Sequence, residues 1–240
     1  MTAYKLGCWI DLPSPQVADI VAGAGFDFAV IDCEHGAIGL ETLQLMLLAF
    51  KGQDIEVIVR VPDTSTTAIR RALDAGSPAV MVPMVEDVDT ARAVIAAARF
   101  APKGVRGEAL DILLASDWGR AVPDTYANPP KVFLQIESKA ALEAAAEIAT
   151  LDPDTELFFG PSDFAATQGL AKDAPEVQEG TARLAQVAQD AGSVAGTVVY
   201  PGATAPELAQ MGYSRIAVAS DVITLAKGLA TTAKEARDAL

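Results

Sequence analysis

The chain has 240 residues, of which 51% are hydrophobic, and this is enough to bury one large core. Its 18 Lys and Arg residues against 32 Asp and Glu residues give a net charge of −14, which repels nucleic acids and anionic membrane surfaces. One histidine and two cysteines exclude a zinc site of clustered His and Cys, so any metal must sit mainly on oxygen ligands.

Eight short runs of β-branched and aromatic residues alternate with Ala-rich helical stretches along the chain. This alternation is typical of a parallel sheet with helical crossovers, and eight units predict a single-domain (β/α)₈ barrel over residues 1–240. Glycines follow the predicted helices where a C-cap would need them. The predicted strands are residues 6–10, 28–32, 57–60, 79–83, 131–137, 157–160, 193–199 and 215–219, and the glycines are Gly25, Gly52, Gly76, Gly192 and Gly212.

The regular alternation breaks between residues 101 and 130, after the fourth predicted strand, where the chain carries KGVRG, Trp118 and ANPP. Long inserts at the active-site end of a barrel are usually functional, so we expect this one to help form the active site. Residues 221–240 predict one amphipathic C-terminal helix.

The first residues, the apolar stretches and the two cysteines indicate the cellular compartment of the protein. The first residues form no basic, apolar leader, and no apolar stretch reaches the ~20 residues that span a bilayer, so we expect a cytoplasmic protein. Two thiols in a chain of this size fit a reducing compartment, which predicts that Cys8 and Cys33 are reduced core residues.

Polar residues stand at the carboxyl ends of four predicted strands. A barrel gathers these ends around one opening, while its interior is filled with apolar side chains. We therefore expect one site from residues that are distant in sequence. They are Asp32, Glu34 and His35, then Arg60, then Gln135 and Glu137, and finally Asp163.

Glu137 and Asp163 are the candidate metal ligands. Two carboxylates from neighbouring strands neutralise a divalent ion and leave positions for substrate and water. The alternative for Asp163 is that it caps the helix after strand six, whereas Glu137 ends an apolar strand without capping geometry. We expect magnesium, manganese or cobalt and no organic cofactor.

Arg60 and His35 are the candidate catalytic side chains. Arg60 ends the apolar run VIVR, where its guanidinium suits an enolate oxygen or a carboxylate, and the alternative is an inward salt bridge. His35 follows strand two in a glycine-containing loop and suits proton transfer near neutral pH, although a lone histidine is usually a surface or core residue.

Three further residues are weaker candidates. Asp32 and Asp74 are candidates to support His35, with a helix-surface role as the alternative for Asp74. Arg106 of the KGVRG loop is a candidate to reach the barrel opening and meet a second charged substrate, and the alternative is a solvated loop arginine.

The sequence resembles the HpcH/HpaI type of metal-dependent pyruvate aldolase, whose best-known member cleaves 4-hydroxy-2-oxoheptanedioate and whose relatives act on 2-keto-3-deoxy sugar acids. The matching stretches span nearly the whole chain in the family's order. They are IDCEHG, VIVRVP, ALDAG, VMVPMV, GVRG, LQIES, FFGPSD and the segment around AVASD. The chain departs most in the loop after Arg106 and in GLAKDAPEV, which shape the aldehyde pocket.

The resemblance implies specific roles. Glu137 and Asp163 look like the metal ligands, Arg60 like the enolate stabiliser, and His35 like the acid/base group oriented by Asp74 and by Asp32. The family usually forms hexamers as trimers of dimers, in which the last helix packs on a partner subunit. The residues that look like the pyruvate site are Gln135, Gly160, Pro161, Ser162 and Asp163.

The expected reaction is reversible cleavage of a 4-hydroxy-2-oxoacid to pyruvate, or a close analogue, and an aldehyde. A Schiff-base aldolase needs a lysine buried in or at the end of a strand, but Lys131 begins strand five at the opposite end and Lys139 opens a helix. The same residues would also suit an acyl-CoA lyase of the citrate-lyase type or a noncatalytic metabolite-binding barrel. The length leaves little room for segments that would hold CoA.

Overall fold

The computed structural model describes residues 4–240 and forms a closed barrel of eight parallel strands. Each strand pairs with the next along the chain, and the last pairs with the first. All eight predicted strands are present, with ends that differ from the prediction by no more than two residues. The strands are β1 Lys5–Ile10, β2 Phe28–Asp32, β3 Glu56–Arg60, β4 Ala79–Val82, β5 Lys131–Ile136, β6 Thr155–Phe159, β7 Ala195–Val198 and β8 Arg215–Ser220.

The helices return the chain along the outside of the barrel. Several begin where a Ser or Asp side chain accepts a hydrogen bond from a first-turn amide, as Ser14, Ser65, Asp87 and Ser138 do. The five predicted glycines all have positive φ. The helices are α1 Pro15–Ala22, α2 Leu40–Ala49, α3 Thr66–Asp74, α4 Val88–Ala98, α5 Val122–Ala127, α6 Lys139–Ile148, α7 Pro161–Ala166, α8 Pro175–Asp190, α9 Ala205–Met211 and α10 Asp221–Asp238.

Two apolar layers hold the barrel. The larger layer lies between the sheet and the helices, and the smaller one fills the barrel interior around Phe28, Phe133 and Phe158. Gly7 makes room for this packing, because a Cβ there would lie 2.2 Å from the Phe28 ring. Partly buried Trp9 packs on the interior layer at the end where the strands finish, which we call the mouth.

The opposite end of the barrel, the base, is closed by a network of charged side chains. Buried Arg215 donates to Glu156 and, at 2.6 Å, to Glu56 Oε2. Lys5 lies 3.1 Å from Glu56, and Lys131 lies within 3.3 Å of both carboxylates. These ion pairs join strands β1, β3, β5, β6 and β8, so they brace the closed sheet below the apolar interior.

The long insert lies at the base, which corrects the expectation that it forms part of the mouth. Helix α4 follows β4 and carries the chain back along the barrel before residues 99–130 begin. The insert contains two short 3₁₀ turns, Leu110–Ile112 and Leu114–Ser116, followed by α5. It therefore connects a helix to the next strand, whereas active sites of this architecture are built from the strand-to-helix loops.

The C-terminal helix was predicted correctly, and α10 begins at the mouth. Only Asp221 of this helix is buried. Its large apolar side chains are exposed, including Ile223, Leu225 and Leu229 at 55%, 52% and 63%. Within residues 4–240, no helix has both the length and the apolar character to cross a membrane.

Glu56 makes the stability of the barrel depend on acid. Burial by itself would raise the pKa of this carboxyl, but hydrogen bonds and charge from Arg215, with Lys5 and Lys131, outweigh it and hold the pKa at about 2 against an ordinary 4.5. A depressed pKa contributes stability that is complete above the ordinary value and is lost as the pH falls toward the folded value.

We predict that Glu56→Gln lowers the free energy of unfolding by about 3 kcal/mol near neutral pH, because it leaves buried Arg215 short of a partner. The difference from the wild type should shrink as the pH falls from about 4.5 toward 2, since the wild type then loses the same charge. Urea unfolding over this range measures it, with exposed Glu143→Gln as the matched control. A difference that is constant with pH would contradict the prediction.

Candidate active site

Asp32 is the anchor of the mouth. It is 1% exposed at the end of β2, and its carboxylate accepts hydrogen bonds from two side chains and from the backbone of the loop that follows. Trp9 Nε1 donates at 3.2 Å. The amides of Glu34 and His35 donate to Oδ1 at 2.9 and 3.2 Å. Asp32 therefore positions His35 through its backbone.

Arg60 forms a bidentate ion pair with Asp32. Its Nε donates to Oδ1 at 3.0 Å and its Nη2 to Oδ2 at 2.5 Å, at the register position where β2 and β3 end together. Burial by itself raises the pKa of Asp32, but Arg60 and the loop amides outweigh it and hold the pKa below its ordinary value. The pair is charged at neutral pH, and the guanidinium is fixed at the mouth.

The Glu34 carboxylate lies between Arg60 and His35. Its Oε2 lies 2.7 Å from Arg60 Nη1, at an angle that makes no hydrogen bond, and 3.9 Å from His35 Nε2. The His35 side chain is 65% exposed, so its ring is open to solvent and to a ligand at the mouth. Burial raises the pKa of Glu34, although the nearby Arg60 charge opposes this.

Glu137 follows the last residue of β5 and points into the same space. Gln135 Nε2 donates to its Oε1 at 2.8 Å, and the Met84 amide donates to its Oε2 at 2.9 Å. Met84 has a φ of 51°, so its amide donates to Glu137 from a left-handed backbone conformation. Burial raises the pKa of Glu137 to about 7; the Met84 amide opposes this and the Asp163 charge adds to it.

Asp163 lies in the first turn of α7, close enough to Glu137 and Glu34 for its charge to raise the pKa of both carboxyls. The N-cap of α7 is Gly160, which has no side chain, so the alternative that Asp163 caps this helix is excluded. The first-turn amides of Ser162 and Asp163 lack helical carbonyl partners, as in any helix, while Pro161 has no amide hydrogen to donate.

The oxygen-rich part of the mouth fits a divalent cation. Buried Gln135 Oε1 and Glu34 Oε2 have no hydrogen-bond partner, and Glu137 and Asp163 add two carboxylates. A Cβ on Gly160 would lie 2.4 Å from Glu137 Oε1, so the glycine keeps this side open. Residues 4–240 contain no cluster of three or more His, Cys, Asp or Glu side chains suited to a metal, so two carboxylates remain the candidate ligands.

Within one chain, Asp74 and Arg106 lie away from the mouth, although the sequence predicted them there. Asp74 ends α3 at the base, about one strand length from the mouth or roughly 16 Å for five residues. There it accepts a hydrogen bond from Arg106 Nη2 at 3.1 Å. The Arg106 side chain is 3% exposed and stacks on the Phe100 ring, so it neither reaches the mouth nor remains a solvated loop residue.

Two contributors were not predicted as site residues, the indole of Trp9 and the backbone amide of Met84. Glu34 was expected at the mouth beside His35, but no specific role was assigned to it from the sequence. An aromatic residue in a strand is usually core, and a left-handed methionine cannot be read from its side chain.

Comparison with protein families matches residues 5–228 to the model described as HpcH/HpaI aldolase/citrate lyase. The chain belongs to this family. It is therefore an aldolase-type enzyme, a carbon–carbon lyase, and the resemblance noted from its motifs is confirmed.

Individual relatives agree with this placement. The chain is 32% identical to a hydroxypyruvate/pyruvate aldolase of Roseovarius nubinhibens, covering 92% of this chain and 88% of the relative. It is 33% identical to a 4-hydroxy-2-oxo-heptane-1,7-dioate aldolase of Salmonella dublin, covering 93% and 87%. A crystal structure of a family member from Burkholderia cenocepacia superimposes with a TM-score of 0.92 at 30% identity, covering 98% and 95%.

We predict that Gly160→Ala lowers kcat at least about a hundredfold and weakens binding of manganese, because the added Cβ must displace the Glu137 carboxylate. Steady-state kinetics and calorimetric manganese titration measure the two effects. Gly23→Ala is the matched control, since its Cβ would come no closer than 3.9 Å to any neighbour. Wild-type manganese affinity in Gly160→Ala would contradict the prediction.

Proposed function

We propose that this enzyme reversibly cleaves 4-hydroxy-2-oxoacids to pyruvate, or a close analogue such as hydroxypyruvate, and an aldehyde. The observation that carries the proposal is the grouping of Arg60, His35, Glu137 and Asp163 at one mouth. The reaction needs a cation for the developing enolate, a proton acceptor for the hydroxyl and ligands for a metal. The names of the relatives support the same class of substrate.

Glu137 and Asp163 are proposed to hold a divalent ion, magnesium, manganese or cobalt. When bound, such an ion polarises the keto group of the substrate and offsets the charge of the enolate. Gln135 fixes the Glu137 carboxylate by donating to Oε1. The first-turn amides of Ser162 and Asp163 suit the carboxylate of the oxoacid.

His35 and Arg60 are assigned different steps. In cleavage, His35 accepts the proton of the 4-hydroxyl, directly or through water, and the C3–C4 bond breaks to release the aldehyde. The bonding electrons pass into the pyruvate enolate, whose oxygen Arg60 stabilises, and protonation at C3 completes pyruvate. The exposed ring of His35 and the fixed guanidinium of Arg60 suit these two roles.

A Schiff-base mechanism has no lysine in the required place among residues 4–240. Lys131 pairs with Glu56 and Glu156 at the base, and every other lysine is exposed. A noncatalytic binding barrel does not explain the combination of an acid/base residue, a fixed cation and paired carboxylates. A citrate-lyase type of reaction would cleave an acyl-CoA, so pyruvate release from a 4-hydroxy-2-oxoacid without CoA distinguishes the two.

We also propose that the enzyme is a cytoplasmic homohexamer, a trimer of dimers, in which α10 packs on a partner subunit. The exposed Ile223, Leu225 and Leu229 support this, because a helix whose large apolar side chains face water gains stability by covering them.

We predict that a chelator abolishes pyruvate release from 4-hydroxy-2-oxoacids and that magnesium, manganese or cobalt restores it. Glu137→Ala and Asp163→Ala should lose metal binding and activity together while remaining folded, and exposed Asp54→Asn, at the base, serves as the matched control. Coupled assays of pyruvate and calorimetric metal titration measure both. Full activity of metal-free enzyme, or a pyruvate adduct trapped on a lysine by borohydride, would refute the mechanism.

We predict that His35→Ala slows aldol cleavage by about 10²–10⁴-fold, because it removes the proton acceptor. Decarboxylation of oxaloacetate forms the same enolate but takes no proton from a hydroxyl, so His35→Ala should largely spare it. Arg60→Ala should impair both reactions, since both need the enolate stabilised. Measuring both rates in both variants tests the assignment; equal losses in His35→Ala, or normal decarboxylation in Arg60→Ala, would show it to be wrong.

A further inference from the structure

Trp9 contacts both members of the ion pair at the mouth. Its indole N–H donates to Asp32 Oδ2 at 3.2 Å, and Arg60 Cζ lies 4.9 Å from the centre of its ring. The same Asp32 oxygen accepts Arg60 Nη2. One indole therefore holds the carboxylate through its edge and the guanidinium through its face.

The placement of Trp9 leaves it little freedom. It lies near the end of β1, where its register partners are Val30 of β2 and Ser220 of β8. Its ring packs 5.9 Å from that of Phe158 in the barrel interior. Packing against Phe158 restricts movement of the Trp9 ring, so the ring is a rigid support for the ion pair.

The other contacts of Arg60 are with two carboxylates at the mouth. Asp32 binds its Nε and Nη2, while Glu34 draws Nη1 toward the His35 loop. These three contacts are made by the guanidinium nitrogens, whereas the central Cζ lies over the Trp9 ring. A cation held over an aromatic face is attracted to the ring, and this attraction resists movement of the guanidinium away from the ring.

We propose that Trp9 is a positioning residue that fixes the Asp32–Arg60 pair for enolate stabilisation. The inference rests on the proposed function, because it assigns Arg60 the enolate. It does not require Trp9 to touch the substrate. Trp9 acts on the step in which charge develops on the enolate oxygen, so its loss lowers kcat more than it raises KM.

Two substitutions separate the contributions of Trp9. Trp9→Phe keeps a ring but removes the N–H, and we expect kcat for aldol cleavage and for oxaloacetate decarboxylation to fall together by about tenfold. Trp9→Leu removes both contacts, and we expect a loss of about a hundredfold. Trp118→Phe, in the insert at the base, is the matched control and should keep wild-type kcat. Thermal unfolding checks that each variant is folded.

A double-mutant cycle tests whether Trp9 acts through Arg60. In an Arg60→Lys background, Trp9→Leu should lower kcat by less than about threefold, because the flat guanidinium is already gone. An undiminished loss in that background would overturn the proposal. So would wild-type kcat in both Trp9 variants, or a rise in KM at constant kcat, which would assign Trp9 to direct contact with the substrate.

One readout needs no activity. In the Trp118→Phe protein Trp9 is the only tryptophan, so its indole N–H gives one resonance in a nitrogen–proton correlation spectrum. We expect this resonance to move in Asp32→Asn, which weakens the hydrogen bond, and an unmoved resonance would overturn the contact. If the wild type released no pyruvate while the resonance moved as expected, the proposed function would fail and the position of Trp9 would stand.

Discussion

The buried carboxylate of Asp32 is the constraint on which the mouth depends. An ionised carboxylate in an apolar barrel is costly unless its oxygens are paired, and Asp32 meets that cost with donors from β1, β3 and its own loop. The loop amides bind only if the chain turns sharply after β2. That turn places Glu34 and His35 beside Arg60, so one side chain fixes a cation and the candidate acid/base residue together.

The charged side chains at the base of the barrel stabilise the fold, whereas those at the mouth form the candidate active site. At the base, Arg215 and two lysines pair with two carboxylates, so every carboxylate has a cationic partner. At the mouth, the carboxylates of Asp32, Glu34, Glu137 and Asp163 outnumber the one charge of Arg60, and this excess of negative charge suits a divalent cation. The apolar interior around Phe133 separates the ends, so the charges at the base stabilise the fold without entering the candidate site.

The periodicity of the sequence was sufficient to predict the barrel and the order of its strands. The rule that strand ends meet at one opening then brought Asp32, Arg60, Glu137 and Asp163 together correctly, because it follows from topology alone. The insert was misplaced because α4 was not separated from the irregular chain after it. Pairings such as Asp74 with Arg106 depend on which side chains meet at the base, and no local pattern encodes that.

Met84 shows how a site can depend on an atom that every amino acid but proline possesses. Its amide reaches Glu137 Oε2 from a left-handed backbone, so the contribution lies in the main chain. Alanine scanning would leave this donor in place and would score the position as unimportant. The Met84 side chain is 42% exposed at the rim, so a substitution that keeps the left-handed backbone would leave the contact with Glu137 in place.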